Sequence, residues 1–421
     1  MINSRRSLYF MSTTLTLFLI VAAVAATLYM MKGGVNAGLI MLADSLFVVI
    51  ITRIPAGDAL KFAFWGTVSY KTIKLILIMA FIMMLENIMR TTGMIKAMVD
   101  SLKEIVGNNR LATALMPAVI GLLPSPGGAR FSCPMVDEVS GTNAEPATKA
   151  YINYWFRHVW MDGFILYPGV IIGAELLGVS VIDFFIRLLP FMVLSVIPGI
   201  VLGLKNVKKE PIVRTRTLGL SLKQLLVSAF PVLLIISLYI FLLNIPIMDI
   251  KKYSLEIASA VTVIVMFIAK KYGIKKAAST VKNAFPVKLV IIIVGVMVFI
   301  EILFGSGLMD SFINFIRDNN IPVSVLYLSL PFIGGLTSGI AVNFVSLTFP
   351  ILIPLGLGEN IWFAVLAFAS GFIGCMVTPL HLCAVMTADY FKTDLGKMLL
   401  KVIISESAVM AIVAGVMFLI K

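Results

Sequence analysis

Charge is what this chain has least of. Of its 421 residues only 13% are Asp, Glu, Lys or Arg, against about 25% in an average soluble protein. A soluble chain of this length would cover two or three domains with charged surface; this one has too little. Cysteine is equally scarce. Cys133, Cys375 and Cys383 all lie in apolar sequence without CxxC spacing, which implies no disulfide framework or zinc site and reads as small core residues. HExxH, GxSxG, a Walker loop and a GxGxxG opening a helix after a strand are all missing, so no enzyme is expected. Without a nucleotide motif, any transport draws on ion gradients or runs downhill.

In place of charge there is apolar sequence, 60% of the chain, with a mean hydropathy of +1.04. A span of the hydrocarbon core takes about 20 residues, which allows roughly ten spans. The expected class is an all-α polytopic membrane protein of the plasma membrane. Uncharged stretches place helices near 8–31, 36–52, 75–85, 151–173 and 185–204, then near 224–243, 255–269, 289–304, 362–386 and 402–420. The first of these lies in a run of 25 uncharged residues, 7–31, after Arg5 and Arg6, which is longer than a signal-peptide core and reads as a membrane helix. Two further stretches, 111–135 and 323–355, are interrupted by glycine, proline and small polar residues and read as re-entrant hairpins.

The net charge of +13 is concentrated in loops. Residues 205–223 hold Lys205, Lys208, Lys209, Arg214, Arg216 and Lys223 against Glu210 alone, and 270–288 hold six lysines and no acid. Both are expected on the cytoplasmic side. Nucleic acid is not expected as a partner.

The chain also resembles itself at half its length. At a shift of 214, Lys74-Leu75 meets Lys288-Leu289 and Gly93 meets Gly307; at 213, the run from Ile120 to Ser125 meets that from Ile333 to Ser338. Two homologous halves, 1–204 and 224–421, joined by the basic 205–223 linker, are the economical reading. Equivalent loops exchange their positive charge between the halves, which favours opposite orientation, although Arg5, Arg6 and the 53–74 loop argue against it. Inverted repeats with broken helices are the layout of secondary transporters.

Charged and polar residues inside apolar stretches mark sites, because burying them in lipid is costly. Arg130 follows the Pro124-Ser125-Pro126-Gly127-Gly128 break and corresponds to Asn343 beyond Thr337 and Ser338. It is either an anion clamp or an arginine that snorkels or pairs with Asp137 or Glu138. Arg157 and His158 lie in an aromatic run, with Asp162 four residues on; on one helix face His158 and Asp162 could exchange a proton, or form a structural ion pair. Pro379, between Thr378 and His381, breaks a helix and frees carbonyls near Gly374 and Cys375. Both histidines of the chain fall beside such breaks. Glu86 and Glu301 read as proton or cation sites or, more simply, as helix-end markers, and Gly169 with Gly173 as internal packing or dimerisation.

At these residues the sequence resembles a family of prokaryotic integral membrane proteins in the ion transporter superfamily. The resemblance rests on the run Leu123 to Ala129, on Tyr154-Trp155-Phe156-Arg157-His158 and on Thr378-Pro379-Leu380-His381-Leu382-Cys383, and it extends over nearly the whole chain. The wider superfamily includes citrate, dicarboxylate, gluconate and arsenite permeases and sodium/proton antiporters. The resemblance implies two inverted repeats, each with a hairpin and an unwound helix, in a homodimer that works by an elevator motion. One departure is that the sodium-coupled dicarboxylate branch carries Ser-Asn-Thr at both hairpin tips, whereas this chain does not.

The expected function is secondary transport of a small anion coupled to H+ or Na+. Ser125, Gly127, Gly128, Arg130, Arg157, Thr337, Ser338, Asn343 and Thr378 would bind the anion, while His158, Asp162 and His381 would carry the coupling ion. A cation/proton antiporter and an intramembrane enzyme acting on a lipid or peptide are the alternatives. No metal or other cofactor is expected, and the lipid bilayer is the expected surrounding.

Overall fold

The computed structural model describes residues 29–30, 33, 35–122, 124, 128–161 and 163–420. The helix expected at 8–31 lies almost wholly outside them. Among the described residues the regular structure is helical, with one isolated β-bridge between Asn108 and Pro211.

The first part of the chain forms α1 (Ala37–Thr52), α2 (Ala56–Val68), α3 (Tyr70–Thr91), α4 (Met94–Val106), α5 (Asn109–Gly121), α6 (Ala129–Ser140), α7 (Pro146–His158), α8 (Pro168–Leu177) and α9 (Val181–Pro198). The second part forms α10 (Leu218–Leu243), α11 (Ser254–Ala269), α12 (Ile274–Ala284), α13 (Val287–Gly305), α14 (Leu308–Asp318), α15 (Val323–Ser338), α16 (Ala341–Leu352), α17 (Ile361–Val377), α18 (Leu382–Tyr390) and α19 (Leu395–Ile420). Among the described residues six stretches are long and apolar enough to cross a membrane: Ala56–Thr91, Val181–Asn206, Leu218–Leu243, Val287–Gly305, Ile361–Tyr390 and Leu395–Leu419.

Local chemistry sets many of the boundaries. The Asn36 side chain accepts from Gly38 N and caps α1. Ser69, with its hydroxyl over Thr72 N, separates α2 from α3. Gly93 and Gly307 sit at φ +73 and +72 and turn the chain into α4 and α14, where a side chain would be strained. The stretch expected as a helix at 75–85 runs from Tyr70 to Thr91 because its charges are paired inside. Lys74 meets Glu175 at 2.8 Å and Arg90 meets Glu86 at 3.2 Å. Glu86 is therefore buried within a helix rather than marking its end, and Glu301 likewise lies within α13.

The two interrupted stretches each form a pair of helices packed on one another, α5 with α6 and α15 with α16. At 1.5 Å per residue, helices of 13, 12, 16 and 12 residues reach about 18–24 Å, short of the ~30 Å hydrocarbon core. The basic linker is strapped to the first part of the chain. Lys208 N donates to Asn143 O at 2.9 Å, Asn109 N to Glu210 O at 3.0 Å, and Ile212 N to Gly107 O at 3.0 Å. Thr215 donates its hydroxyl and amide to the Glu104 carboxylate, which holds that group below the usual carboxylate range.

At the centre lie α7 and α17. Every residue from Thr148 to His158 is buried, as is every residue from Ala364 to Met376. These two helices position the site.

Candidate functional site

Both central helices stop inside the molecule. Helix α7 ends at His158, and helix resumes only at Pro168; α17 ends at Val377, and helix resumes at Leu382. The second stop has a local cause. Pro379 has no N–H, so the Cys375 carbonyl four residues back loses its helical donor. His381 Nδ1 donates to that carbonyl at 3.1 Å, and Tyr154 Oη donates to the next one, Met376 O, at 3.0 Å. At the first stop the chain closes into turns, with Met161 N on His158 O and Phe164 N on Trp160 O, both 2.8 Å. It re-enters helix through Pro168, whose missing N–H costs nothing at a helix start.

The two stops meet. The rings of His158 and His381 lie edge to face with centroids 4.7 Å apart, and the Tyr154 ring lies 4.7 Å from the first and 5.4 Å from the second. Arg157 Nη1 donates to Cys383 Sγ at 3.2 Å and lies 3.2 Å from His158 Nε2. A guanidinium has donors only. Nε2 is therefore the acceptor, and His158 is a neutral imidazole with its proton on Nδ1, donated to Tyr154 O. Arg157, His158, His381 and Cys383 are all buried. Behind them Asn153 Nδ2 donates to Thr387 Oγ1 at 3.0 Å and to Cys133 Sγ at 3.1 Å, tying α7 to α18 and α6.

Cys383 is the residue that sequence reasoning missed. It is more than a packing residue: its sulfur accepts from an arginine 226 positions away. The donor atoms of His158, His381 and Cys383 lie within 4.8 Å of one another, a set that suits a soft or borderline metal ion. However, the Arg157 guanidinium already hydrogen-bonds two of the three and brings its own positive charge. As arranged, the cluster is suited to negative charge rather than to a cation.

Backbone turns close on both stops. A Cβ at Gly121, the last residue of α5, would collide with the Arg157 carbonyl, and Tyr167 Oη donates to Gly121 O. Gly339, at φ +63 between α15 and α16, lies against the backbone of Leu380 and His381. The helices beyond the stops cross over: α8 packs on α16, with Gly169 against Ala341, and α18 packs on α6. Gly169 and Gly173 thus serve internal packing.

The remaining expected residues divide. Thr378 is buried at the second stop, its hydroxyl accepting from Leu380 N at 3.3 Å. Asn343 and Ser346 lie buried on α16, and the Asn343 carbonyl oxygen and the Ser346 hydroxyl have no protein hydrogen-bond partner. Thr337 and Ser338 turn their hydroxyls back onto their own helix, at 2.8 Å to Ile333 O and 2.7 Å to Gly334 O. Gly128 caps α6 and accepts from Phe131 N and Ser132 N. Ser125, Gly127 and Asp162 lie outside the described residues. Helix α7 ends at His158, and the helix face expected to join His158 to Asp162 depends on a residue outside the described ones.

Arg130 does not join the cluster. It is exposed and lines a cavity of about 600 Å³ with Glu86, Arg90, Asn283 and Leu382. Neither expected partner meets it, since Asp137 pairs with Lys149 at 2.6 Å and Glu138 with Lys103 at 2.7 Å. The cavity wall includes Leu382, the neighbour of Cys383, so cavity and cluster face the same helix, α18.

A family model described as "Protein of unknown function (DUF401)" matches residues 11–420, nearly the whole chain, and the protein belongs to that family. No curated protein matches the chain.

Proposed function

We propose that this protein is a secondary active transporter of a small anion, an organic carboxylate or an oxyanion, coupled to protons or sodium. The observation that carries the reading is the meeting of two interrupted helices from opposite halves of the chain, buried from Thr148 to His158 and from Ala364 to Met376. Their stops bring Arg157, His158, His381, Cys383 and freed backbone carbonyls to one point. Irregular backbone at membrane depth persists only where it is buried in protein or lines a cavity, and half-helix ends at the midplane are where such transporters bind their cargo. A buried guanidinium between a thiol and a neutral imidazole offers charge to an anion.

The order of elements supports an internal repeat. Each of α1 to α9 has a counterpart of like kind and order in α11 to α19. The pairs α1/α13 and α3/α11 pack together, as do α8/α16 and α6/α18, so each half's helices pack on equivalent helices of the other. In this reading the halves are inverted repeats, α5/α6 and α15/α16 are the re-entrant hairpins, and a unit built around α7 and α17 moves as an elevator. A homodimer in the plasma membrane is the expected setting. The cavity beside α18 is the approach, with Arg130 and Arg90 attracting the anion and Arg157 receiving it.

The test is a thermal-shift screen of the purified protein in detergent. It uses a panel of organic and inorganic anions, each with and without sodium and at two pH values. A ligand that binds only the folded state raises Tm by mass action. An anion that raises Tm in the wild type and not in Arg157→Met supports the reading. A response to sodium or pH alone, with none to any anion, replaces it with a cation/proton antiporter.

A further inference from the structure

A second buried charged cluster lies apart from the helix stops. Lys74 on α3 pairs with Glu175, near the end of α8, at 2.8 Å, and both side chains are more than four-fifths buried. Glu256, in the first turn of α11, interacts electrostatically with both and is 8% exposed. Neither of its carboxylate oxygens meets a hydrogen-bond donor other than its own backbone amide. The surrounding groups complete the inventory. Tyr239 on α10 uses its hydroxyl to accept from Val181 N at 3.1 Å, and Tyr70 and Tyr253 stack edge to face at 5.3 Å. The Lys252 ammonium lies 4.0 Å from the centre of the Tyr70 ring.

The charges do not balance. One ammonium faces two carboxylates, and it is already committed to Glu175. Burying an unpaired carboxylate is among the most expensive things a fold can do, and such a group sheds its charge instead. The start of a helix favours the ionised form, but that effect is small beside the burial of an unpaired charge. Sodium would need several oxygen ligands around it, and a lysine at the same site opposes any cation that does not share its charge with a carboxylate.

We propose that Glu256, with Lys74 and Glu175, forms a proton-binding site in which Glu256 carries the proton and Lys74 is the charge over which the two carboxylates compete. If Lys74 swung from Glu175 to Glu256, the proton would leave Glu256 as hydronium and Glu175 would take one up, so the balance of charge is kept. Glu175 belongs to the half-helix beyond the first stop, so displacement of α8 relative to α3 and α11 exchanges the partners. The use of this exchange for coupling rests on the transport reading, whereas the protonated Glu256 does not.

Infrared difference spectroscopy of the purified full chain at neutral pH reads the proton directly, through the C=O stretch of a protonated carboxyl. The expected result is a band that Glu256→Gln removes and that Glu86→Gln, at a carboxylate paired with Arg90, leaves in place. Lys74→Met is expected to strengthen the band, because Glu175 then loses its partner and protonates as well. An unchanged band in Glu256→Gln overturns the proposal. So does a sodium-dependent rise in Tm that Glu256→Gln abolishes, which would make the group a sodium ligand. Both readouts are independent of any anion, so they stand whether or not the anion screen succeeds.

Discussion

The two buried polar clusters are built from different groups. At the helix stops Arg157 donates to the Cys383 thiol and lies against the His158 imidazole, with His381 beside them. At the second cluster one lysine sits among two carboxylates. The first offers guanidinium donors and the second a buried carboxylate without a donor beyond its own backbone, so the two suit different ligands. On the transport reading the first takes an anion, and the proposal for Glu256 gives the second a proton. A structural ion pair balances itself and needs neither, as Lys149 and Asp137 do at 2.6 Å.

The sharpest way to break this comparison is to remove the guanidinium of the first cluster. Arg157→Met should weaken anion binding at least ~100-fold, the scale of losing a charge-assisted buried contact, as read by calorimetric titration with the anion that the screen identifies. Arg157→Lys should recover only part, since a point charge cannot hold Cys383 and a ligand in one fork. Binding that survives Arg157→Met would mean that the two clusters do not differ as argued. Glu256→Gln should leave anion affinity within about threefold, measured in the same titration; a loss equal to that of Arg157→Met would merge the clusters into one site.

The backbone supplies a smaller contrast. Gly339 and Gly93 share a left-handed φ, but only Gly339 lies against other backbone, at His381, while Gly93 has open space. Gly93→Ala should cost about 1 kcal/mol through conformation alone, and Gly339→Ala distinctly more, as Tm measurements would show. Equal losses would mean that the turn does not bear on the second stop. The smallest effect belongs to Arg130→Gln, which should lower the rate of anion entry a few-fold at low salt and not at high salt, because an exposed charge is screened. Stopped-flow binding at two ionic strengths separates this from the salt-insensitive loss at Arg157.

Much of the fold was legible. The helix expected from Asn36 to Thr52 is α1, and the interrupted stretches are helix pairs, because apolar length, glycine and proline act locally. The Pro379 break was legible for the same reason, down to the freed Cys375 carbonyl. The break after His158 was harder. Proline marks its far end at Pro168, while its near end at Val159 has no residue of special geometry, so a single helix was expected over 151–173. Between the two candidate arginines, sequence offered no ranking: both lie in apolar surroundings, and only packing buries Arg157 and leaves Arg130 at a cavity.

Composition alone determined that this chain is helical and apolar enough to cross a membrane, since 13% charge cannot cover a soluble surface. Residue order determined that His381 stands beside a helix break, since Pro379 acts within a few residues of itself. What only the tertiary structure decided was the company these residues keep. Cys383 became part of a site through an arginine 226 residues away, and Glu256 was left without a partner because Lys74 had reached Glu175. The energy of a buried charge depends on what lies within a few ångströms, and in a folded chain those neighbours come from remote sequence.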